Sequence, residues 1–448
     1  MNILRINVLI SMVLAIGITY NIPAYGQIST DNNLTQISGD SLTLSKIISL
    51  IVQNHPSVKE AAEAINMADA GIGLAKSGYY PNIDASAGYT RIGPKQELTF
   101  PGLGTFQLYP ADNYAANLNY YQTIYDFGKT SKNVAFANET KNMNQQTLEQ
   151  VKQKLAYSAT IIYYSIVYLQ QAIVINEEQM KTLQEHLDLI KKKQETGSAT
   201  QYEILSTKVK ISTVESMGID LQTSLKNQIT ELNALMGQSG NIHFAVKEDL
   251  YVKLTVLPAD SLFPFAFEHR DELKIARERT TLSELKYKIV KAQNNPSLNI
   301  QLTGGGKNGY IPDLNTVKAN FVAGFGLKIP IFEGTKTKYN LLQAKSAISI
   351  SELETELAKR SISSDVAENI DNMNASLNKI EHFNLQLNQS QEAFQLAQAS
   401  FKAGTITNLD LLDAATVISE SKLLLLKSRI EYTINVYKLK VAIGERLY

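Results

Sequence analysis

The chain has 448 residues, enough for two ordinary domains, of which 44% are hydrophobic and 19% charged. Its 43 Lys+Arg balance its 43 Asp+Glu, so no net charge draws it to nucleic acid or to acidic lipid. The lack of cysteine excludes disulfides, thiolate nucleophiles, Cys-ligated zinc and lipid attachment to an N-terminal Cys.

Residues 1–26 read as a secretory signal. Arg5 is their only charge, Val8 to Ile18 form an apolar run, and Ala24-Tyr25-Gly26 places small residues before a cleavage point at Gln27. The run is too short to span a bilayer, and nothing after it approaches the ~18 consecutive apolar residues of a transmembrane helix. No helical span is expected in the mature chain. A membrane location would then require a barrel.

Residues 28–40 are polar. Ser41 to Leu44 open a helical segment that runs to about Gly78, with a break at His55-Pro56 where proline starts a second helix. Gly71-Ile-Gly73 falls inside it without a preceding strand, which makes it a poor dinucleotide motif. From Pro81 the period becomes 2. Ile83, Ala85, Ala87 and Tyr89 alternate with Asn82, Asp84, Ser86 and Thr90, and Tyr114, Ala116, Leu118 and Tyr120 alternate with Asn113, Asn117 and Asn119. These are two strands joined by the Gly/Pro-rich stretch 93–112, each long enough to cross a bilayer at a barrel tilt. The same residues fit equally an antiparallel hairpin packed on a soluble core.

After Ile124-Tyr-Asp-Phe-Gly128 no proline or glycine occurs until Gly197. Ile162, Ile166, Leu169, Ile173, Asn176, Met180, Leu183, Leu187 and Ile190 are spaced alternately four and three apart, a heptad seam. A helix of about 67 residues would be about 100 Å long. A second helix follows from about Tyr202 to Met236-Gly237, then an irregular connector over 238–260. The pattern restarts at His269-Arg-Asp-Glu272 with a helix to about Gln293 and an alternating run from Pro296. Gly304-Gly-Gly306 to Asn315 reads as a solvated loop and not a phosphate cradle, because no helix N-terminus follows it. A second run, Phe321 to Ile329, leads through Ile331-Phe-Glu-Gly334 into a segment free of Gly and Pro up to Gly404, then a helix to Ile443-Gly444.

The halves superpose by subtraction. Gly404 less Gly197 and Asp410 less Glu203 both give 207, and the same offset relates Ile124 to Ile331, Lys129 to Lys336 and Gly237 to Gly444. A loop-rich domain would tolerate insertions; two helical hairpins that must reach the same height would not. The domains are therefore a signal peptide (1–26), a first repeat (27–240), a connector (241–260) and a second repeat (261–448). Asn384, Gln391 and Gln398 interrupt the second seam, so that helix is expected to become wetter toward Gly404.

Helix, two strands, a Phe/Tyr-Asp/Glu-x-Gly closure, a long helix, Gly-x5-Asp and a helix ending in Met/Ile-Gly, all repeated over about 41–446, resemble the outer-membrane efflux protein family of TolC-like channels. The resemblance implies a mainly α fold with a membrane β-barrel. Each protomer would carry four strands and two coiled-coil hairpins, and a homotrimer would form a 12-stranded barrel and a periplasmic α-barrel. It implies contact with outer-membrane lipid and partnership with a periplasmic adaptor (membrane fusion) protein and an inner-membrane transporter. The chain would be their passive exit channel for efflux or type I secretion.

Carried over, Gly197, Ser198, Gly404 and Thr405 lie at adaptor-docking tips, and Asp410 and Asp413, with Glu203, at the periplasmic entrance. Two departures stand out. Ile406 occupies a place where the family often has a polar locking residue, and Tyr202-Glu203 stand where Thr-Asp is common. His55, His186, His243, His269 and His382 lack metal spacing, and a solvated or capping role is expected of each. No catalytic constellation, metal motif or cofactor motif is present, so an enzyme is not expected. The rival reading is an exported structural or adhesive coiled-coil protein without a pore.

Overall fold

The computed structural model describes residues 42–94, 97–102, 104–237 and 259–448. The signal segment and most of the connector lie outside them. The first half comprises α1 (Leu44–Asn54), α2 (Pro56–Ser77), β1 (Asn82–Arg91), β2 (Glu97–Phe100), β3 (Gly104–Gln107), β4 (Asp112–Tyr125), α3 (Lys129–Glu195) and α4 (Gln201–Leu235). The second comprises α5 (Ala259–His269), α6 (Asp271–Ala292), β5 (Ser297–Lys307), β6 (Lys318–Lys328), α7 (Lys336–Ala403) and α8 (Asn408–Ala442).

Pro56 is the first residue of α2, and His55 caps that helix by accepting from Ser57 N at 3.1 Å, the capping role expected of it. Helix α3 has 67 residues. Seven of the nine seam residues named above are buried: Ile162, Ile166, Leu169, Asn176, Leu183, Leu187 and Ile190.

The four long strands form one antiparallel sheet in the order β1-β4-β5-β6. Register carries the alternation across all of them. Ile83 pairs with Tyr120, which pairs with Leu302, which pairs with Ala323; Ala85, Leu118, Gly304 and Phe321 form the next row. Apart from the Arg91–Asp112 row at its end, one face is thus apolar, and it is uncovered: Leu118, Phe321 and Phe325 are 57%, 84% and 77% exposed. The other face is polar. Asn119 Nδ2 donates to Asp84 Oδ2 at 2.8 Å, and Thr303 Oγ1 donates to Asn119 Oδ1 at 3.1 Å. β1 and β6 are edges.

Three expectations need correction. Gly304–Gly306 are strand residues, not a loop, because Gly305 lies flat against β4: a Cβ there would stand 2.1 Å from Ala116 O. The stretch 93–112 is not all loop, since β2 and β3 pair within it and Phe100 meets Phe106 edge-on at 6.1 Å. A helix, α5, begins at Ala259, in what reads as connector, because Leu262 and Ala266 bury against α6–α8. A separate feature of α3 is one 18-residue window apolar enough, by length and composition, to cross a membrane, with a mean hydropathy of 1.4. Half of it is buried inside the fold, where Tyr163, Tyr164, Ile166 and Val167 serve as core.

At the junction of β4 and α3, Asp126 explains the Tyr-Asp-Phe-Gly closure. Its carboxylate accepts from Gly128 N at 2.9 Å and Thr130 N at 2.7 Å, while Gly128 takes φ +87°. Burial opposes its ionisation, but these bonds and the one from the Thr130 hydroxyl hold its pKa below the ordinary carboxylate value. An equatorial core of Leu273, Ile362, Val366, Met373, Val436 and Leu439 joins α6, α7 and α8. Below it the second seam is polar, with Gln386 Nε2 donating to Ser421 Oγ at 3.2 Å. The wetter stretch is bounded, however: Phe394, Ala397 and Phe401 return to an apolar cluster near Gly404.

Candidate functional site

The two hairpins end in turns of one design. Gly197 and Gly404 take φ +72° and +75°, the left-handed conformation that lets a helix stop. Ser198 N then bonds Lys193 O at 2.7 Å, and Thr405 N bonds Ser400 O at 3.0 Å, a six-to-one closure at each tip. Three residues after each glycine, a threonine starts the return helix in a capping box. Thr200 N donates to Glu203 Oε2 at 2.6 Å and Glu203 N to Thr200 Oγ1 at 3.2 Å; Thr407 N donates to Asp410 Oδ2 at 2.9 Å and Asp410 N to Thr407 Oγ1 at 3.3 Å. The constant spacing of Glu203 and Asp410 therefore has a local cause. The Thr407 hydroxyl and amide hold Asp410 below the usual carboxylate range, so it stays charged, although one oxygen is engaged. Asp413, one turn on, is exposed.

Tertiary packing brings the tips together. Leu187, Ile190 and Ile204 of the first hairpin bury against Phe401 and Leu411 of the second, with Ile406 packed on the cluster. Ile406 is a packing residue here. Asn408, 4% exposed, is the joint. Its Nδ2 reaches Ser206 Oγ at 3.2 Å and Thr207 Oγ1 at 3.4 Å on α4, and its Oδ1 lies 2.6 Å from His186 Nε2 on α3. Lys193 Nζ sits 4.3 Å from the centre of the Phe401 ring and 3.5 Å from Phe401 O, at the carbonyl end of α7. Lys422 of α8 pairs with Glu178 of α3 at 2.6 Å. Tyr202, at 73% exposure, stays outside the joint.

His186 is thus not the solvated histidine expected from spacing alone; its partner lies 222 residues away. A cavity of about 200 Å³ lined by Leu183, Leu189, Phe394 and Leu411 adjoins it. Burial is the main cause that lowers its pKa, with Lys193 adding to the shift, while Asn408 and Glu203 oppose it. The sign follows. The folded pKa lies below the free value of 6.5, so the joint's stability is complete above that pH and is lost as pH falls toward the folded pKa. We expect amide exchange at 404–412 to quicken between pH 7 and pH 5 beyond the intrinsic pH effect, and His186→Gln to flatten that dependence. Identical profiles in both proteins would contradict it. Glu185 and Lys402 also line the cavity, so mutants of these two serve as controls.

Four strands with an uncovered apolar face continue into two helical hairpins of matched length. The chain belongs to the outer membrane efflux protein family, whose sequence model matches residues 47–238 and 264–445. It is 21% identical over 401 residues to the outer membrane protein TolC of Salmonella enteritidis, covering 87% of this chain and 79% of that one. It is 22% identical over 410 residues to TolC of Vibrio cholerae, covering 90% of each. It is also 23% identical over 334 residues to the alkaline protease secretion protein AprF of Pseudomonas aeruginosa, covering 72% of this chain and 67% of that one. Among solved structures, the outer membrane protein VceC of Vibrio cholerae matches with a TM-score of 0.76 at 18% identity, covering 90% of this chain and 97% of that one. The protein is accordingly an outer-membrane channel of the efflux type.

Proposed function

We propose that three copies of the chain close edge to edge, β6 of one against β1 of the next, into a 12-stranded barrel whose helices continue as a periplasmic tube. The observation that carries this reading is the sheet: an apolar face that runs across all four strands, past one irregularity between Thr123 and Tyr125, a polar opposite face, and two edges unpaired among the described residues. Four strands are too few to close a barrel, and cyclic symmetry supplies the rest. An unpaired edge in lipid would leave backbone groups unsatisfied, and closure removes the edge. The tube is a passive conduit. Its tips, at Gly197, Ser198, Gly404 and Thr405, meet a periplasmic adaptor, which links it to an inner-membrane transporter.

In this arrangement Asp410, Asp413 and Glu203 are repeated around the entrance, attracting cations and raising the barrier to anions. Asp413 is the freer charge, while Asp410 and Glu203 also cap their helices. Heat-modifiable trimers in outer-membrane fractions and step conductances in a planar bilayer are expected. Asp410→Ala with Asp413→Ala should lower cation selectivity and relieve block by multivalent cations. Selectivity that does not move would remove the acids from the entrance; trimers without conductance would favour a structural protein with no pore.

A further inference from the structure

We infer that the strand-lined part of the passage is a cationic sleeve that attracts anions, opposite in sign to the acidic hairpin tips. The inference rests on the trimeric-pore reading above and adds the selectivity of its outer end. Register assigns every charged strand residue in the four-stranded sheet to a face. On the apolar face the charges are Arg91 and Asp112, paired at the loop end with Nη1 to Oδ1 at 3.3 Å, so that face cancels itself. On the polar face stand three lysines, Lys307, Lys318 and Lys328, against one aspartate, Asp84.

The lysines are fixed on the sheet. Lys307 and Lys318 are direct cross-strand partners, and Lys328 pairs with Ser297 at the helical end of the same two strands. Like charges placed directly opposite destabilise a sheet, yet no acid stands between them in the register. The loop that joins them is braced by Asn308, whose side chain accepts from Tyr114 N at 2.8 Å and donates to Asp112 O at 2.6 Å. Lys307 Nζ lies 5.3 Å from the Tyr310 ring centre. Asp313 approaches Lys318 at 3.7 Å from the loop beyond the strands, but its side chain is 67% exposed and the pair is strongly screened.

Repeated in three copies around a narrow passage with low-dielectric walls, the excess of lysine focuses a positive potential. A cation finds its well at the tips and its barrier in the sleeve, and an anion the reverse. Such a passage has no electrical symmetry between its ends, so the open channel rectifies.

The test uses the purified mature protein in planar bilayers at low salt, where the screening length is longer than the ~10 Å of 0.1 M salt. Inositol hexakisphosphate is the probe, applied to one side at a time. Hexamminecobalt(III), which the acidic tips would bind, reports which side is which. Block by the polyanion is expected from the loop side, with its apparent affinity falling at least about tenfold in K307Q/K318Q/K328Q and persisting in K307R/K318R/K328R. The glutamine variant should also show a cation-to-anion permeability ratio raised about twofold or more, and weaker rectification. A conducting channel with intact cobalt block whose polyanion block is the same in wild type and glutamine variant overturns the sleeve alone. Wild-type trimers that never conduct overturn the pore and the sleeve together.

Discussion

Gly305→Val is expected to abolish assembly of the sheet, with the folded protein recovered from outer-membrane fractions reduced more than about tenfold. A Cβ at this position would stand 2.1 Å from Ala116 O, 2.6 Å from Asn117 Oδ1 and 2.8 Å from Asn117 Cα. Two of these three atoms belong to the backbone of β4, so no side-chain rotation relieves the overlap. The β4–β5 pair joins the strands of the two repeats into one sheet, and losing it splits the sheet in two. Backbone displacement of this kind belongs to the rare class that costs more than about 4 kcal/mol. Its neighbour is the control. Gly304 has no atom within 4 Å of an added Cβ, so Gly304→Ala should assemble normally. A normal yield of folded protein from Gly305→Val would show that the strand does not pack as described.

Arg446→Ala should destabilise the folded chain by about 3–5 kcal/mol, read as a lower denaturant midpoint in detergent. Asp271, at the start of α6, is 5% exposed, and both terminal nitrogens of the Arg446 guanidinium bond to its carboxylate, Nη2 to Oδ1 at 2.6 Å. Removing the arginine leaves a buried carboxylate without its counter-charge. The loss extends further because the same segment ties three helices together. Gln153 of α3 donates to Glu445 O at 2.8 Å, and Arg270 donates to Ala442 O at 3.1 Å and to Asp365 Oδ2 at 3.2 Å. Lys440 is a suitable contrast: its pair with Glu445 is more open to water, and Lys440→Ala should cost no more than about 1 kcal/mol. Equal losses in the two variants would show that Asp271 does not depend on Arg446.

The tips show how far the residues could be read before folding. The structure makes Thr200-x-x-Glu203 and Thr407-x-x-Asp410 capping boxes, a local pattern that the reading of their acids as entrance charges passed over. It could have been found in the sequence, because a capping box closes within four residues. His186 was not legible, because nothing near it in sequence distinguishes it from an exposed histidine; only the packing of α3 against α8 sets Asn408 beside it. The same holds for Ile406, whose place in an apolar cluster depends on residues from both hairpins.

Gly304–Gly306 show the opposite error. Three glycines in a row lack any local preference for a strand, and propensity reads them as loop. Their conformation comes from pairing with β4 on one side and β6 on the other. A strand position that another backbone approaches closely can be occupied by glycine alone.

By itself the sequence determined the periods. A seam of seven gave a 67-residue helix, alternation gave strands with one apolar face, and a constant 207-residue offset gave two hairpins of one height. These follow from spacing along the chain, because helix and strand repeat every few residues. Tertiary structure alone decided the order β1-β4-β5-β6, the seat of Gly305 against β4, the His186–Asn408 joint and the face on which each lysine stands. Each of those joins residues far apart in the chain, and no local periodicity encodes the partner.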